Sequence, residues 1–86
     1  MNISVIIPLK DEAESLPELT AWIKKVMEAN AYTYEVILVD DGSKDNSWDK
    51  ICELSAAHLN TRGIKFRRNF GKAAALSAGF QAANGD

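Results

Sequence analysis

The stretch Glu35-Val36-Ile37-Leu38-Val39-Asp40-Asp41-Gly42-Ser43 decides the fold. Its apolar residues run without alternation, as in a strand covered on both faces, and halt at a cluster of turn formers. Such strands belong to parallel sheets flanked by helices. The same pattern recurs on either side. Ile3-Ser4-Val5-Ile6-Ile7 is rich in β-branched residues and stops at Pro8, which has no N–H to donate. Ser15-Leu16-Pro17-Glu18 has the spacing of a capping box with proline in the first helical turn. Leu16, Leu19, Trp22, Ile23, Val26 and Met27 then recur every three or four residues and predict one apolar helix face.

Downstream of the turn, Asp45 or Ser47 can cap a helix whose inner positions are Trp48, Ile51, Cys52, Ser55 and Leu59. Arg62-Gly63 is expected to break that helix, and Ile64-Lys65-Phe66-Arg67 alternates as a short third strand. Arg68-Asn69-Phe70-Gly71-Lys72 reads as a loop. A last helix from Ala73 presents Ala73, Leu76, Phe80 and Ala83, and Asn84-Gly85 is a helix stop. The predicted order is β-α-β-α-β-α. Right-handed crossovers make this an α/β, three-layer, Rossmann-like parallel sheet, half of a doubly wound domain. Residues 1–86 are read as one unit.

Composition narrows the function classes. The chain has 86 residues, a formal net charge of −2, 26% charged and 8% aromatic residues. That is ordinary for a globular chain, and the slightly acidic balance argues against a nucleic-acid partner. Cys52 is alone, so no intramolecular disulfide can form, which fits a reducing compartment. Its helical spacing predicts a small core-facing hydrophobe. No apolar run is long enough to span a membrane, and Met1-Asn2-Ile3-Ser4, with no basic segment before a long apolar stretch, argues against a signal peptide. His58 has no second His or Cys at ligand spacing.

Ligands of open α/β sheets bind beyond the carboxyl ends of the strands. The polar residues cluster there: Pro8, Lys10, Asp11 and Glu12 after the first strand, Asp40, Asp41 and Ser43 after the second, and Arg67, Arg68, Asn69 and Lys72 after the third. Carboxylates can accept from a base N–H or from ribose hydroxyls, while cations and helix-start N–H groups hold phosphates. Plainer readings stand beside this. Asp40-Asp41-Gly42-Ser43 is also a turn with a helix cap, Asp11-Glu12 also complements a helix dipole, and Arg67 and Arg68 also suit a solvated edge. Two adjacent carboxylates at the end of an apolar strand nevertheless call for a ligand, a cation or a basic partner. Gly71-Lys72 is not a Walker A loop, because the earlier glycine and the following Ser or Thr are missing.

Three segments, in order, resemble family 2 glycosyltransferases. Val5-Ile6-Ile7-Pro8-Leu9-Lys10-Asp11-Glu12-Ala13-Glu14-Ser15-Leu16 resembles the family's opening strand, proline and Asn-Glu. Val36-Ile37-Leu38-Val39-Asp40-Asp41-Gly42-Ser43-Lys44-Asp45-Asn46-Ser47 resembles its Val-Asp-Asp-Gly-Ser segment. Arg68-Asn69-Phe70-Gly71-Lys72 and the residues to Phe80 resemble the helix start of the branch that includes dolichol-phosphate mannosyltransferase and related polyprenyl-phosphate sugar transferases. Lys10 stands where many members carry an aromatic residue, and Asp11 where Asn is common.

The resemblance implies a GT-A fold, of which this chain is the N-terminal half, and inverting transfer of a sugar from a UDP- or GDP-sugar donor to a polyprenyl phosphate or glycan acceptor. Carried over by position, Pro8, Lys10, Glu12, Val39 and Asp41 lie around base and ribose, with Asp41 accepting from the base N–H, and Lys72 lies near the diphosphate. The family's Asp-x-Asp motif, which holds Mg²⁺ or Mn²⁺, is expected after Asp86. No catalytic residue and no metal ligand is therefore expected within the 86 residues, and the fragment is expected to be inactive alone, in the cytoplasm or at the cytoplasmic face of a membrane. The competing reading is a non-catalytic α/β module, either a phospho-acceptor receiver or an interaction domain that dimerises. The receiver places its acid pair after the first strand; here the pair follows the second. An unfinished sheet edge predicts a homo-oligomer for the fragment.

Overall fold

The computed structural model describes residues 3–83. Three strands alternate with three helices: β1 Ile3–Leu9, α1 Leu16–Ala29, β2 Tyr34–Asp40, α2 Ser47–Ala57, β3 Thr61–Lys65 and α3 Lys72–Ala82. The strands form one parallel sheet in the order β1-β2-β3, with Val5 opposite Val36, Ile7 opposite Leu38 and Val39 opposite Ile64. The order expected from the sequence is the order observed. The Asn84-Gly85 stop lies outside the described residues.

Alternation along β2 builds two cores, because successive side chains point to opposite faces. Val36 and Leu38 pack with Leu16 and Ile23 of α1 and Ile51 of α2. Ile37 and Val39 pack with Ala75 of α3, flanked by Ile6 and Ile64. Helices thus cover both faces, which makes three layers and explains why β2 carries no alternating polar residues.

Several element details differ from the sequence reading. β1 runs through Pro8 to Leu9 instead of stopping. The Ile3 N–H donates to the Thr33 carbonyl, and the Leu9 carbonyl accepts from the Asp41 N–H. Odd positions of β1 therefore face β2. Pro8, an even position, turns its missing N–H to the outer side, where it costs no ladder bond.

β3 begins at Thr61, three residues before the predicted start, and Gly63 lies inside it. A Cβ on Gly63 would sit 2.3 Å from Ile51 Cγ2 and 3.1 Å from the Trp48 ring. Glycine is there because α2 packs tightly onto β3. The same packing turns α2 so that Ile51 is buried while Cys52 is exposed; the core role expected of Cys52 is not observed. Leu59 lies beyond the end of α2 and is fully exposed.

On α1, Leu16, Thr20 and Ile23 face the sheet, and Trp22 is 61% exposed. The capping box does not form. The Ser15 hydroxyl donates to Glu12 Oε2 at 2.8 Å, because a turn over residues 12–15 already uses the Glu12 carbonyl for the N–H groups of Ser15 and Leu16. α3 is rotated from the expected face. Its buried residues are Ala75 and Gly79, while Ala73 is exposed and Phe80 is 66% exposed. Small side chains let this helix lie close against Ile6 and β2.

One polar tether crosses the sheet. Arg62 Nη2 donates to Glu35 Oε1 at 3.0 Å and to the Ala82 carbonyl at 2.6 Å. It thereby pairs the buried Glu35 carboxylate and holds the carboxyl end of α3.

The fit of α2 on β3 gives a direct test. Gly63→Ala forces a methyl group onto Ile51 and is expected to destabilise the chain by about 1–3 kcal/mol, the usual cost of overpacking. Urea unfolding measures it, and an unchanged midpoint would show that Ile51 moves aside freely.

Candidate functional site

All three loops that leave the carboxyl ends of the strands meet on one rim. The first two are stitched together by backbone and side-chain hydrogen bonds. The Asp11 N–H donates to Ser43 Oγ at 2.9 Å, and Asp11 Oδ1 accepts from the N–H groups of Lys44 at 2.7 Å and Asp45 at 3.2 Å. The Glu12 N–H donates to Ser47 Oγ at 3.0 Å, and the Ala13 N–H to Asp45 Oδ2 at 3.4 Å. Asp11 takes a left-handed φ of 55°, a conformation that Asp and Asn tolerate better than most residues.

The paired carboxylates after β2 have separate tasks. Asp40, 1% exposed, accepts the Ser43 N–H on Oδ1 at 2.8 Å and so closes the turn. Asp41, 5% exposed, takes the Phe70 N–H on Oδ1 at 2.8 Å and the Gly71 N–H on Oδ2 at 3.1 Å. The partner that the acid pair called for is therefore the backbone of two loops. Each carboxylate oxygen offers about two acceptor sites, so Asp41 keeps capacity for a further donor. Gly42 has a φ of 78°, and a Cβ there would lie 2.4 Å from both Arg68 C and Asn69 N. The third loop thus rests on the second with no room for a side chain.

A cavity of about 240 Å³ opens on this rim, lined by Pro8, Leu9, Lys10, Glu12, Asp41 and Lys72. Five of the six residues expected at a site converge there. Val39 does not line it; its side chain is fully buried in the core with Ile37 and Ala75. Leu9 was not anticipated, although its place one residue before Lys10 at a strand end was the available signal. Lys72 opens α3, so the positive end of the helix dipole reaches the same cavity. Two cations, two carboxylates and an apolar Pro8-Leu9 wall suit a ligand with both anionic and hydrogen-bonding parts. A larger hollow of about 490 Å³ lies along the β1–α1 loop, but Asp11, Glu12, Glu14, Glu18 and Asp45 line it. It would repel an anion. Arg67 and Arg68 do not line the 240 Å³ cavity; Arg68 stacks over the Phe70 ring at 4.9 Å, and Phe70 meets Phe66 edge-on at 5.5 Å.

Among the described residues, no group of three or more His, Cys, Asp or Glu side chains could hold a metal ion. No helix among them is long and apolar enough to cross a membrane.

Comparison with known proteins places the chain beside one family and a named relative. The model of a family described as glycosyl transferase family 2 matches residues 4–86. The undecaprenyl-phosphate 4-deoxy-4-formamido-L-arabinose transferase of Pseudomonas fluorescens (strain SBW25) is 42% identical over 85 residues, a match that takes in 98% of this chain and 25% of that protein. The chain spans a quarter of the length of this curated relative.

Asp45 gives the rim a pH dependence. The Ser47 hydroxyl holds the Asp45 carboxyl below the ordinary value of 3.8; desolvation opposes this, and the N–H groups of Ser47 and Ala13 assist it. A carboxyl lowered in the folded state stabilises fully above its unfolded value and loses that contribution as pH falls through the folded one. Asp45→Ala is therefore expected to lower the urea midpoint at neutral pH, and by a smaller margin at an acid pH below the ordinary value of 3.8. An equal gap at both pH values would contradict this assignment.

Proposed function

Since this chain belongs to glycosyl transferase family 2, we propose that it forms the donor-nucleotide half of an inverting glycosyltransferase. The observation that carries the proposal is the convergence of Pro8, Lys10, Glu12, Asp41 and Lys72 on one cavity at the carboxyl ends of β1 and β2. The donor is a UDP- or GDP-sugar. Its base and ribose lie against Pro8, Lys10 and Glu12, and the free acceptor sites of Asp41 take the base N–H. Val39 supports that wall from the core. Lys72 and the first turn of α3 take the diphosphate, whose negative charge grows as the sugar departs.

In the transfer, an acceptor oxygen attacks the anomeric carbon as the bond from that carbon to the diphosphate oxygen breaks. The nucleoside diphosphate leaves with the electron pair, and the configuration inverts. The acceptor is a polyprenyl phosphate, a reading supported by the relative named as an undecaprenyl-phosphate sugar transferase. What these residues contribute is binding and orientation of the donor, and charge to hold the leaving group.

Calorimetric titration of the parent-length protein with UDP and with GDP tests the proposal. One of them is expected to bind, and Asp41→Ala is expected to weaken it about ten- to hundredfold, since a hydrogen bond to a charged group contributes roughly 1.5–3 kcal/mol. Failure of both nucleotides to bind would sink the reading; unchanged affinity in the variant would remove Asp41 from the base.

A further inference from the structure

The Asp41 carboxylate is already engaged before any ligand arrives. Its two oxygens take consecutive N–H groups, Phe70 and Gly71, at 2.8 and 3.1 Å. Gly71 N–H also reaches Asn69 Oδ1 at 2.8 Å, so the loop has an internal brace at the same point. Gly42 presses its backbone against Arg68 and Asn69, where a Cβ would lie 2.4 Å away. The next residue after this held segment is Lys72, which opens α3 and lines the cavity together with Asp41. A base-reading role for Asp41 needs none of these contacts.

We propose that Asp41 is the positioning residue for the cationic wall of the cavity: by holding the Phe70 and Gly71 N–H groups, its carboxylate fixes Lys72 and the amino end of α3 against the donor's diphosphate. This rests on the nucleotide reading above. The two roles of Asp41 then separate by ligand part. A base contact affects nucleoside and nucleoside diphosphate alike. The clamp affects only the extra affinity that the diphosphate brings.

Asp41→Asn is the informative variant. It keeps the shape and one acceptor, but it turns an amide donor toward the Gly71 or the Phe70 N–H. The measured quantity is the ratio of UDP to uridine affinity, or of GDP to guanosine affinity, in the parent-length protein. Lys72→Ala is expected to reduce this ratio about tenfold, as loss of one charged contact does. Asp41→Asn is expected to reduce it by a similar factor, and the double variant is expected to fall no further. A ratio unchanged in Asp41→Asn, with nucleoside and diphosphate weakened equally, overturns the proposal and leaves Asp41 a base-reading residue only.

Amide exchange of the unsubstituted protein is the second measurement and needs no variant to fold. The Phe70 and Gly71 amides are expected to exchange as slowly as those inside β2, and fast exchange overturns the clamp. If neither diphosphate binds, the donor-site reading fails by itself, and the exchange rates decide the clamp alone.

Discussion

From Glu35 to Asp41 every side chain is buried, so this part of the chain has no face left for water. That constraint governs what surrounds it. A buried polar group needs a partner inside the protein, or its desolvation stays uncompensated. Three acids fall within this stretch, and the described residues supply partners for each. Glu35 meets Arg62, Asp40 closes its own turn, and Asp41 takes two N–H groups from a loop about thirty positions ahead. The demand for satisfaction at the end of β2 is what gathers the loops, and the gathered loops line the candidate cavity.

The rim therefore behaves as one connected structure. Asp11 and Asp45 join the β1–α1 loop to the β2–α2 loop, and Asp41 joins the latter to the β3–α3 loop. Backbone N–H groups make most of these bonds, so side chains such as Lys10 and Lys72 remain available to face the cavity. Rigid backbone with free side chains is the arrangement that a preorganised binding site requires.

Much of this was legible in the sequence, for identifiable reasons. The unbroken apolar run of β2 announces a strand covered on both faces, and the three repeats then dictate a parallel sheet. Residues at the ends of parallel strands share a rim, which is why five of the six residues expected at a site line one cavity. Contacts between distant elements were not legible. Gly63 reads as a helix breaker until Ile51 is seen above it, and Cys52 has the spacing of a core residue until the packing of α2 turns it outward. Nor does spacing show that Asp41 faces the Phe70 and Gly71 amides, because those donors belong to the backbone and carry no residue-type signal.

α3 shows how polar contacts can place a helix whose apolar pattern does not. It buries Ala75 and Gly79 and leaves Phe80 largely in solvent, so its apolar face buries few large side chains. Burying an alanine stabilises far less than burying a leucine or phenylalanine. The ends are held instead. Asp41 grips the residues that lead into the first turn, and Arg62 donates to the Ala82 carbonyl at the last. Hydrogen bonds to charged groups contribute about 1.5–3 kcal/mol each and, unlike apolar burial, depend steeply on direction. Two directional contacts at opposite ends fix the helix along its axis, together with the close fit of Gly79 against Ile6. The position of Lys72 at the cavity is set by those contacts, so the charge at the site is placed by the same buried acids that β2 had to satisfy.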